Sequence, residues 1–110
     1  MIDFVFAISE SVRYVAVYNN GDLQSRSKVG TAGASSADSD RFEELLVNPT
    51  LLTLASQRGN IDCGGLRYLL IRYGNFFQFV MQIPGGHISV CIEANAAVSA
   101  IAVQLHQMLS

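Results

Sequence analysis

Few side chains in this 110-residue sequence are spaced in a way that supports catalysis or metal binding. His87 and His106 lie far apart in the chain, and Cys63 and Cys91 are too distant to form a CxxC motif. A zinc site needs about four nitrogen, sulfur or carboxylate ligands held together, and only scattered carboxylates could complete one here. We therefore predict no catalytic residue, no cofactor and no metal, and we interpret both histidines as ordinary surface or partly buried residues.

The two cysteines are predicted to be free thiols with different surroundings. Cys91 alternates with Val90 and Ile92 in a predicted strand, which indicates a packed thiol. Cys63 follows a turn-forming sequence and should be more exposed. Two cysteines cannot form a disulfide framework, and the apolar start of the chain has no basic region typical of an export signal. These observations favour a cytoplasmic location.

Two further patterns have simple structural explanations. The segment Gly30-Thr31-Ala32-Gly33 is not followed by Gly-Lys-Ser/Thr, so it predicts a flexible loop and not a phosphate-binding loop. An acidic cluster stands where a helix should begin, and the helix dipole favours negative charge at that end without any catalytic role. The cluster consists of Asp38, Asp40, Glu43 and Glu44.

The composition indicates a folded domain that contacts a partner. Half of the residues are hydrophobic, whereas 15% are charged, against about 25% in a typical soluble domain. A monomer with so few charges is expected to leave apolar surface uncovered. The net charge of −2 argues against a nucleic-acid ligand, and no apolar run reaches the roughly 18 residues of a membrane span.

The pattern of apolar and turn residues predicts the order helix, two strands, helix, three strands, helix. Asn20-Gly21 favours a tight hairpin turn between the first two strands. The predicted strands cover residues 13–18, 23–28, 66–73, 76–83 and 87–92. A small-residue loop is predicted over 29–39, and the first and last helices within 1–12 and over 95–109.

The middle helix is predicted to start at a capping box formed by Asp40 and Glu43. Pro49 lies inside the helical stretch, so we expect a kink or a restart there. In that interpretation Asn48 caps a new segment, and Pro49 occupies its first helical position.

The large apolar residues of this helix fall on two roughly opposite sides. Phe42, Leu45 and Leu46 form one group, and Val47, Leu51 and Leu54 form the other. One group could cover the sheet while the other needs a different partner. The alternative is that Pro49 resets the helical phase and that all six residues face a single core.

This order of elements, with RYVAVYNNGDLQSRSK and YLLIRYGNFFQFVMQIPGGHISV, resembles the roadblock family of dynein light chains and their bacterial and archaeal relatives. The resemblance spans nearly the whole chain and implies one domain over residues 1–110. It implies a profilin-like α+β fold with three α/β/α layers. The middle layer would be a five-stranded antiparallel sheet with the strand order 2-1-5-4-3. The second helix would cover one face of this sheet, and the first and third helices would cover the other. Pro49 departs from the family, whose second helix is usually continuous.

The resemblance also implies a function. Family members commonly form homodimers through the third strand and second helix, and many are non-catalytic regulators of small GTPases. The expected partners are therefore a second copy of the chain and a small GTPase or another protein. The sequence points to the same surface, because residues 66–73 are apolar on both faces and would aggregate as an exposed edge. The predicted dimer-interface residues are Val47, Leu51, Leu54, Arg67, Tyr68, Leu70 and Arg72.

Two other functions are considered. A small-ligand sensor would hold its ligand between the sheet and a helix, in a cavity lined by residues such as Phe77, Phe79 and Met81. An enzyme would need a convergent set of polar residues that the sequence does not provide. A cavity would favour the sensor, whereas a dimer with a filled core would favour the interaction module.

Overall fold

A computed structural model describes residues 1–28 and 37–110 of the chain. Most of the predicted loop over 29–39, including Gly30 and Gly33, lies outside these ranges. The described elements are α1 (Ile2–Ile8), β1 (Val12–Asn19), β2 (Asp22–Ser27), α2 (Ala37–Phe42), a π-helical turn (Glu43–Val47), α3 (Asn48–Asp62), β3 (Leu69–Arg72), β4 (Phe76–Ile83), β5 (Gly86–Glu93) and α4 (Val98–Leu109). We refer to α2, the π turn and α3, which follow one another without a break, as the middle helix.

The five strands form one antiparallel sheet in the order β2-β1-β5-β4-β3. The middle helix lies on one face of the sheet, and α1 and α4 lie on the other. This arrangement confirms the predicted α+β fold, its three layers and its strand order. The hairpin turn also forms as expected, with positive φ angles of 53° at Asn20 and 84° at Gly21.

The face of the sheet under α1 and α4 holds the apolar core. In β5, Ile88, Val90 and Ile92 point to this side and are fully buried. They pack in one cluster with Val5 of α1 and Leu105 of α4. Side chains alternate between the two faces of a strand, so the other residues of β5 must face the middle helix.

The face under the middle helix carries buried polar side chains beside apolar ones such as Ala16 and Val80. Cross-strand pairs share a face, and Cys91 of β5 pairs with Tyr14 of β1 and with Gln78 of β4. Further along β5, Ser89 and His87 complete the polar set, and both are buried. The two sides of this sheet therefore require chemically different helices.

The middle helix accommodates Pro49 because one wide turn precedes it. The backbone N–H of Asn48 donates to the carbonyl of Glu43, five residues earlier, as in a π-helix. Pro49 follows at the start of α3, where its missing N–H is tolerated. The predicted irregularity at Pro49 is thus a π turn without a break. The predicted cap is wrong, since the Asn48 side chain hydrogen-bonds to Glu44 in the preceding turn.

Neither predicted group of apolar residues covers the sheet. The buried residues of the middle helix are Glu44, Asn48, Leu52 and Gly59. The larger apolar side chains point away, with Phe42 59%, Leu46 54% and Leu54 60% exposed. Both interpretations of the helix were therefore wrong, because its inner side matches a polar sheet face with Glu44 and Asn48.

Strand β3 is shorter than the predicted strand over 66–73. Gly59 of α3 packs directly on the backbone of Gly65 and Leu66, so that segment contacts the helix before β3 begins. Tyr68 then turns its ring towards Phe79 of the core, with 5.1 Å between the ring centroids. β3 ends the sheet, and no strand among the described residues pairs with its outer edge.

The contact at Gly59 predicts an unusual response to alanine. Glycine to alanine in a helix normally stabilises by about 1 kcal/mol, but a Cβ at Gly59 would lie 3.1 Å from the Leu66 nitrogen and 3.2 Å from the Gly65 carbonyl carbon. We expect Gly59→Ala to lower the free energy of unfolding by about 1 kcal/mol, because overpacking against backbone outweighs the gain in helix propensity. Urea denaturation measures this change.

Gly74→Ala is the matched control, since a Cβ at Gly74 meets nothing within 4 Å. It should change stability by less than about 0.5 kcal/mol. A stabilising effect of Gly59→Ala would contradict the close approach of α3 to residues 65 and 66.

Candidate functional site

A buried hydrogen-bond network joins the middle helix to the sheet. Nε2 of His87 in β5 lies 2.9 Å from Oε1 of Glu44 in the π turn. The amide of Asn48 donates to the same oxygen at 2.9 Å. The side chains of His87 and Glu44 are only 3% and 1% exposed. This contact links β5 directly to the π turn.

Two more polar contacts attach the middle helix to this face. The Tyr73 hydroxyl, just after β3, donates to Glu43 at 3.1 Å. Ser56 of α3 donates to the side-chain oxygen of Gln82 in β4 at 3.0 Å. Polar contacts therefore recur along the middle helix, in contrast to the apolar packing of α1 and α4.

Several buried polar atoms next to this network have no partner among the described residues. They are Oε2 of Glu44, Oδ1 of Asn48 and Oε1 of Gln78. Gln78 uses its other side-chain atom to donate to Ser89 at 2.6 Å. An unsatisfied buried polar group costs about 1–3 kcal/mol, so this concentration of free acceptors suggests that something else binds here.

A cavity of about 330 Å³ lies beside these atoms, between the sheet and the first half of the middle helix. Its lining combines charged residues, aromatic rings and small polar side chains. The lining residues are Arg13, Tyr14, Ser27, Ser39, Asp40, Glu43, Glu44, Tyr73, Gly74, Asn75, Phe76, Gln78 and Cys91. Small-molecule sites begin at about this volume.

Carboxylates set the electrostatics of the cavity. Burial raises the pKa of Glu43 above its ordinary value, although the hydrogen bond from Tyr73 opposes this shift. Burial and the nearby Glu43 raise the pKa of Tyr73 to about 12. The pKa of Tyr14 and that of Cys91 are raised as well, chiefly by burial and then by Glu44. Each shift disfavours the negatively charged form of its group, and burial is the largest cause in every case.

Among the described residues that line the cavity, Arg13 has the one Lys or Arg side chain, and this side chain already contacts two other residues. Arg13 lies 3.7 Å from Glu93, and its guanidinium stands over the Phe76 ring at 5.4 Å from the centroid. Asp40, Glu43 and Glu44 therefore outnumber Arg13 among the lining residues. The cavity is an acidic site.

The structure contradicts the predicted lining of a ligand pocket. Phe77, Phe79 and Met81 were expected to line it, but they face α1 and α4, where Phe79 and Met81 belong to the filled core. The cavity lies on the opposite face of the sheet, where Phe76 and Gln78 point. The predicted residues were wrong because the prediction did not distinguish the two faces of β4.

The residues at the centre of the site were recognised but misinterpreted. His87 is fully buried and paired, where an ordinary surface or partly buried histidine was predicted. Glu44 was assigned to a dipole-stabilised acidic cluster, yet it faces the sheet. Cys91 is buried as predicted, and Cys63 is exposed. The sequence does contain a sign of this site. His87, Ser89 and Cys91 occupy alternate positions in β5, which indicates that one face of the strand carries polar side chains.

The residues predicted for a dimer interface belong to the middle helix and to residues 67–72, at and just before β3. Leu51 and Leu54 are 37% and 60% exposed on α3, and Leu70 is 40% exposed on β3. Arg67 and Arg72 are also exposed, whereas Val47 is half-buried. Tyr68 is half-buried between Phe79 and His106, so much of its ring is already used within the chain.

Comparison with protein-family models finds no match, and comparison with curated proteins finds no significant similarity. The resemblance to the roadblock family therefore stays a prediction. Within residues 1–28 and 37–110, no group of three His, Cys, Asp or Glu side chains is arranged to hold a metal ion. None of the helices in the same ranges has the length and apolar character needed to cross a membrane.

The raised pKa of Glu43 predicts a pH dependence of stability. Its ordinary pKa is 4.5, and the folded protein holds the proton more tightly than the unfolded chain does. The stability that this proton contributes is present at low pH and is lost as the pH rises through the raised pKa. We expect Glu43→Gln, which keeps an acceptor for Tyr73, to raise the melting temperature by a few degrees at pH 7 and to have little effect at pH 4. Thermal unfolding across this pH range measures the difference.

Asp62→Asn is a control because the contribution of Asp62 to stability should change with pH in the opposite direction. The hydrogen bond from Arg58 at 2.6 Å lowers the pKa of this exposed carboxylate, so its small contribution is present at neutral pH and is lost as the pH falls. A lower melting temperature for Glu43→Gln at pH 7 would show that the Glu43 carboxylate is stabilising and would contradict the prediction.

Proposed function

We propose that this protein is a non-catalytic homodimeric interaction module that acts as a regulator or adaptor. The proposal is supported by the outer surface of the middle helix, on which four leucines are exposed. We name these residues the leucine surface, and they are Leu45, Leu46, Leu51 and Leu54, which are 41%, 54%, 37% and 60% exposed. Several large apolar side chains exposed on one helix are typical of a protein contact.

The leucine surface cannot be buried against the sheet of its own chain without breaking other contacts. Rotating the middle helix to bury the leucines would expose Glu44 and Asn48 and would break the contact of Glu44 with His87. It would also press apolar side chains onto the buried His87 ring. Leaving that ring without its partner costs about 1–3 kcal/mol. A second molecule can cover the leucines without this penalty.

A second copy of the chain is the partner that the geometry favours. The outer edge of β3 has no strand partner among the described residues, and an antiparallel pair of identical strands satisfies a two-fold axis. Gly59 ties α3 to residues 65 and 66, which lead into β3. The middle helix, which carries the leucine surface, therefore contacts the segment that leads into the open edge, and the proposed two-fold contact covers both. Stable dimers of this type bury about 2,000 Å² or more.

The opposite side of the molecule leaves a surface for another protein. Phe4 on α1 is 71% exposed, and Val103 and Met108 on α4 are 49% and 40% exposed. Apolar residues on a surface of low charge suit a protein better than a nucleic acid or a membrane. The roadblock resemblance suggests that the protein bound at this surface is a small GTPase, and this part of the proposal rests on the resemblance alone.

The dimer is tested by sedimentation equilibrium of the wild type and of Leu54→Asp and Leu70→Asp. Wild type should be a dimer at micromolar concentration. Each variant should weaken dimerisation at least tenfold, about 1.4 kcal/mol, because it places a desolvated charge in the contact. Far-UV circular dichroism establishes that both variants fold.

Val103→Asp is the matched control, because it introduces the same charge at an exposed apolar position on the other side of the sheet. It should leave the dimer intact. A monomeric wild type at micromolar concentration would overturn the proposal, and so would a loss of dimer in Val103→Asp equal to that in Leu54→Asp.

A further inference from the structure

The acidic cavity presents more hydrogen-bond acceptors than the chain can satisfy. Glu44 and Gln78 line it, and each has a buried oxygen without a partner among the described residues. Glu44 and Gln78 are each 1% exposed, so bulk water does not solvate them. Both oxygens can only accept, and the Tyr14 hydroxyl, which also lines the cavity, can accept as well. A ligand that matches them must supply N–H or O–H donors.

The charge of the cavity selects among possible donors. The carboxyl groups of Glu43 and Glu44 line the site, and the guanidinium of Arg13 is close to Glu93. A cation would gain Coulomb energy from these carboxylates in a partly desolvated site. An anion would be repelled by the same groups.

The remaining walls fit an apolar body of modest size. Tyr14, Tyr73 and Phe76 contribute aromatic rings, and aromatic faces attract cations within about 6 Å of the ring. The volume of about 330 Å³ suits a ligand no larger than a small aromatic or short aliphatic molecule.

We propose that the acidic cavity between the sheet and the middle helix binds a small organic cation with N–H donors, such as a primary ammonium group on an aromatic or short aliphatic body. The ammonium group would donate to Glu44, Gln78 and Tyr14, and the body would lie against the aromatic rings. This site uses the inner side of the middle helix, so it is independent of the leucine surface on the outer side.

Three probes of matched shape test the charge preference. Benzylamine, benzyl alcohol and benzoate differ in the charge of one substituent on the same ring. Titration of the wild-type protein followed by amide chemical shifts should give saturable binding of benzylamine with a dissociation constant of about 1 mM or lower. Benzyl alcohol should bind at least tenfold more weakly, and benzoate should not bind. The largest shifts should occur at Tyr73, Gly74 and Phe76.

Two variants locate the site. Tyr14→Phe removes one hydroxyl from the cavity lining and keeps the ring, so it should fold normally and weaken benzylamine binding several-fold. Glu44→Gln removes the buried charge and should weaken binding about tenfold or more. Asp62→Asn, which removes an exposed carboxylate outside the cavity, should bind as the wild type does. If Glu44→Gln does not fold, Tyr14→Phe and the three probes still decide the question.

Several results would overturn the inference. They are the absence of saturable benzylamine binding, equal binding of benzyl alcohol or benzoate, and unchanged binding in Tyr14→Phe. Such results would indicate that the cavity holds water only. The folded Leu54→Asp variant should bind benzylamine like the wild type, so failure of the cation site and failure of the dimer are separate outcomes.

Discussion

The hydrogen bond between His87 and Glu44 crosses from the sheet to the middle helix and fixes which side of that helix faces inward. His87 belongs to a row of polar side chains that β5 presents to this layer, and Glu44 stands one helical turn before Asn48, which donates to the same carboxylate oxygen. Buried polar groups must be paired. A leucine-lined helix could not pair them, so the apolar residues of the middle helix face outward.

The two sides of the sheet consequently hold the molecule together in different ways. Under α1 and α4, packed residues such as Phe79, Ile88 and Leu105 bury apolar area, which is the main source of folding free energy. Under the middle helix, a buried ionisable pair offsets its own desolvation and adds little net stability, but it can specify one arrangement over others. The layer that carries the partner surface and the cavity is therefore held by specific polar contacts more than by extensive apolar burial.

The sequence predicted the parts of the fold that depend on local patterns. Alternating apolar residues and Asn20-Gly21 defined the first hairpin, and the strand order followed from the roadblock resemblance. The orientation of the middle helix could not be read from its own sequence, because the π turn at Glu43–Val47 changes the helical phase. Glu44 also pairs with a residue 43 positions later. The polar face of β5 was visible in the alternation of His87 and Ser89, but its consequence for the helix required knowing which element lies above it.

Nuclear Overhauser measurements on methyl groups in a mixed sample of labelled and unlabelled chains test the central claim most directly. They report separately on contacts within one chain and between chains. The polar layer predicts that the methyl groups of Leu46 and Leu54 contact only a second chain, whereas the buried Leu52 contacts the sheet of its own chain. Contacts from Leu46 and Leu54 to sheet residues of the same chain would contradict the account, because they would place the leucines in the positions that Glu44 and Asn48 occupy.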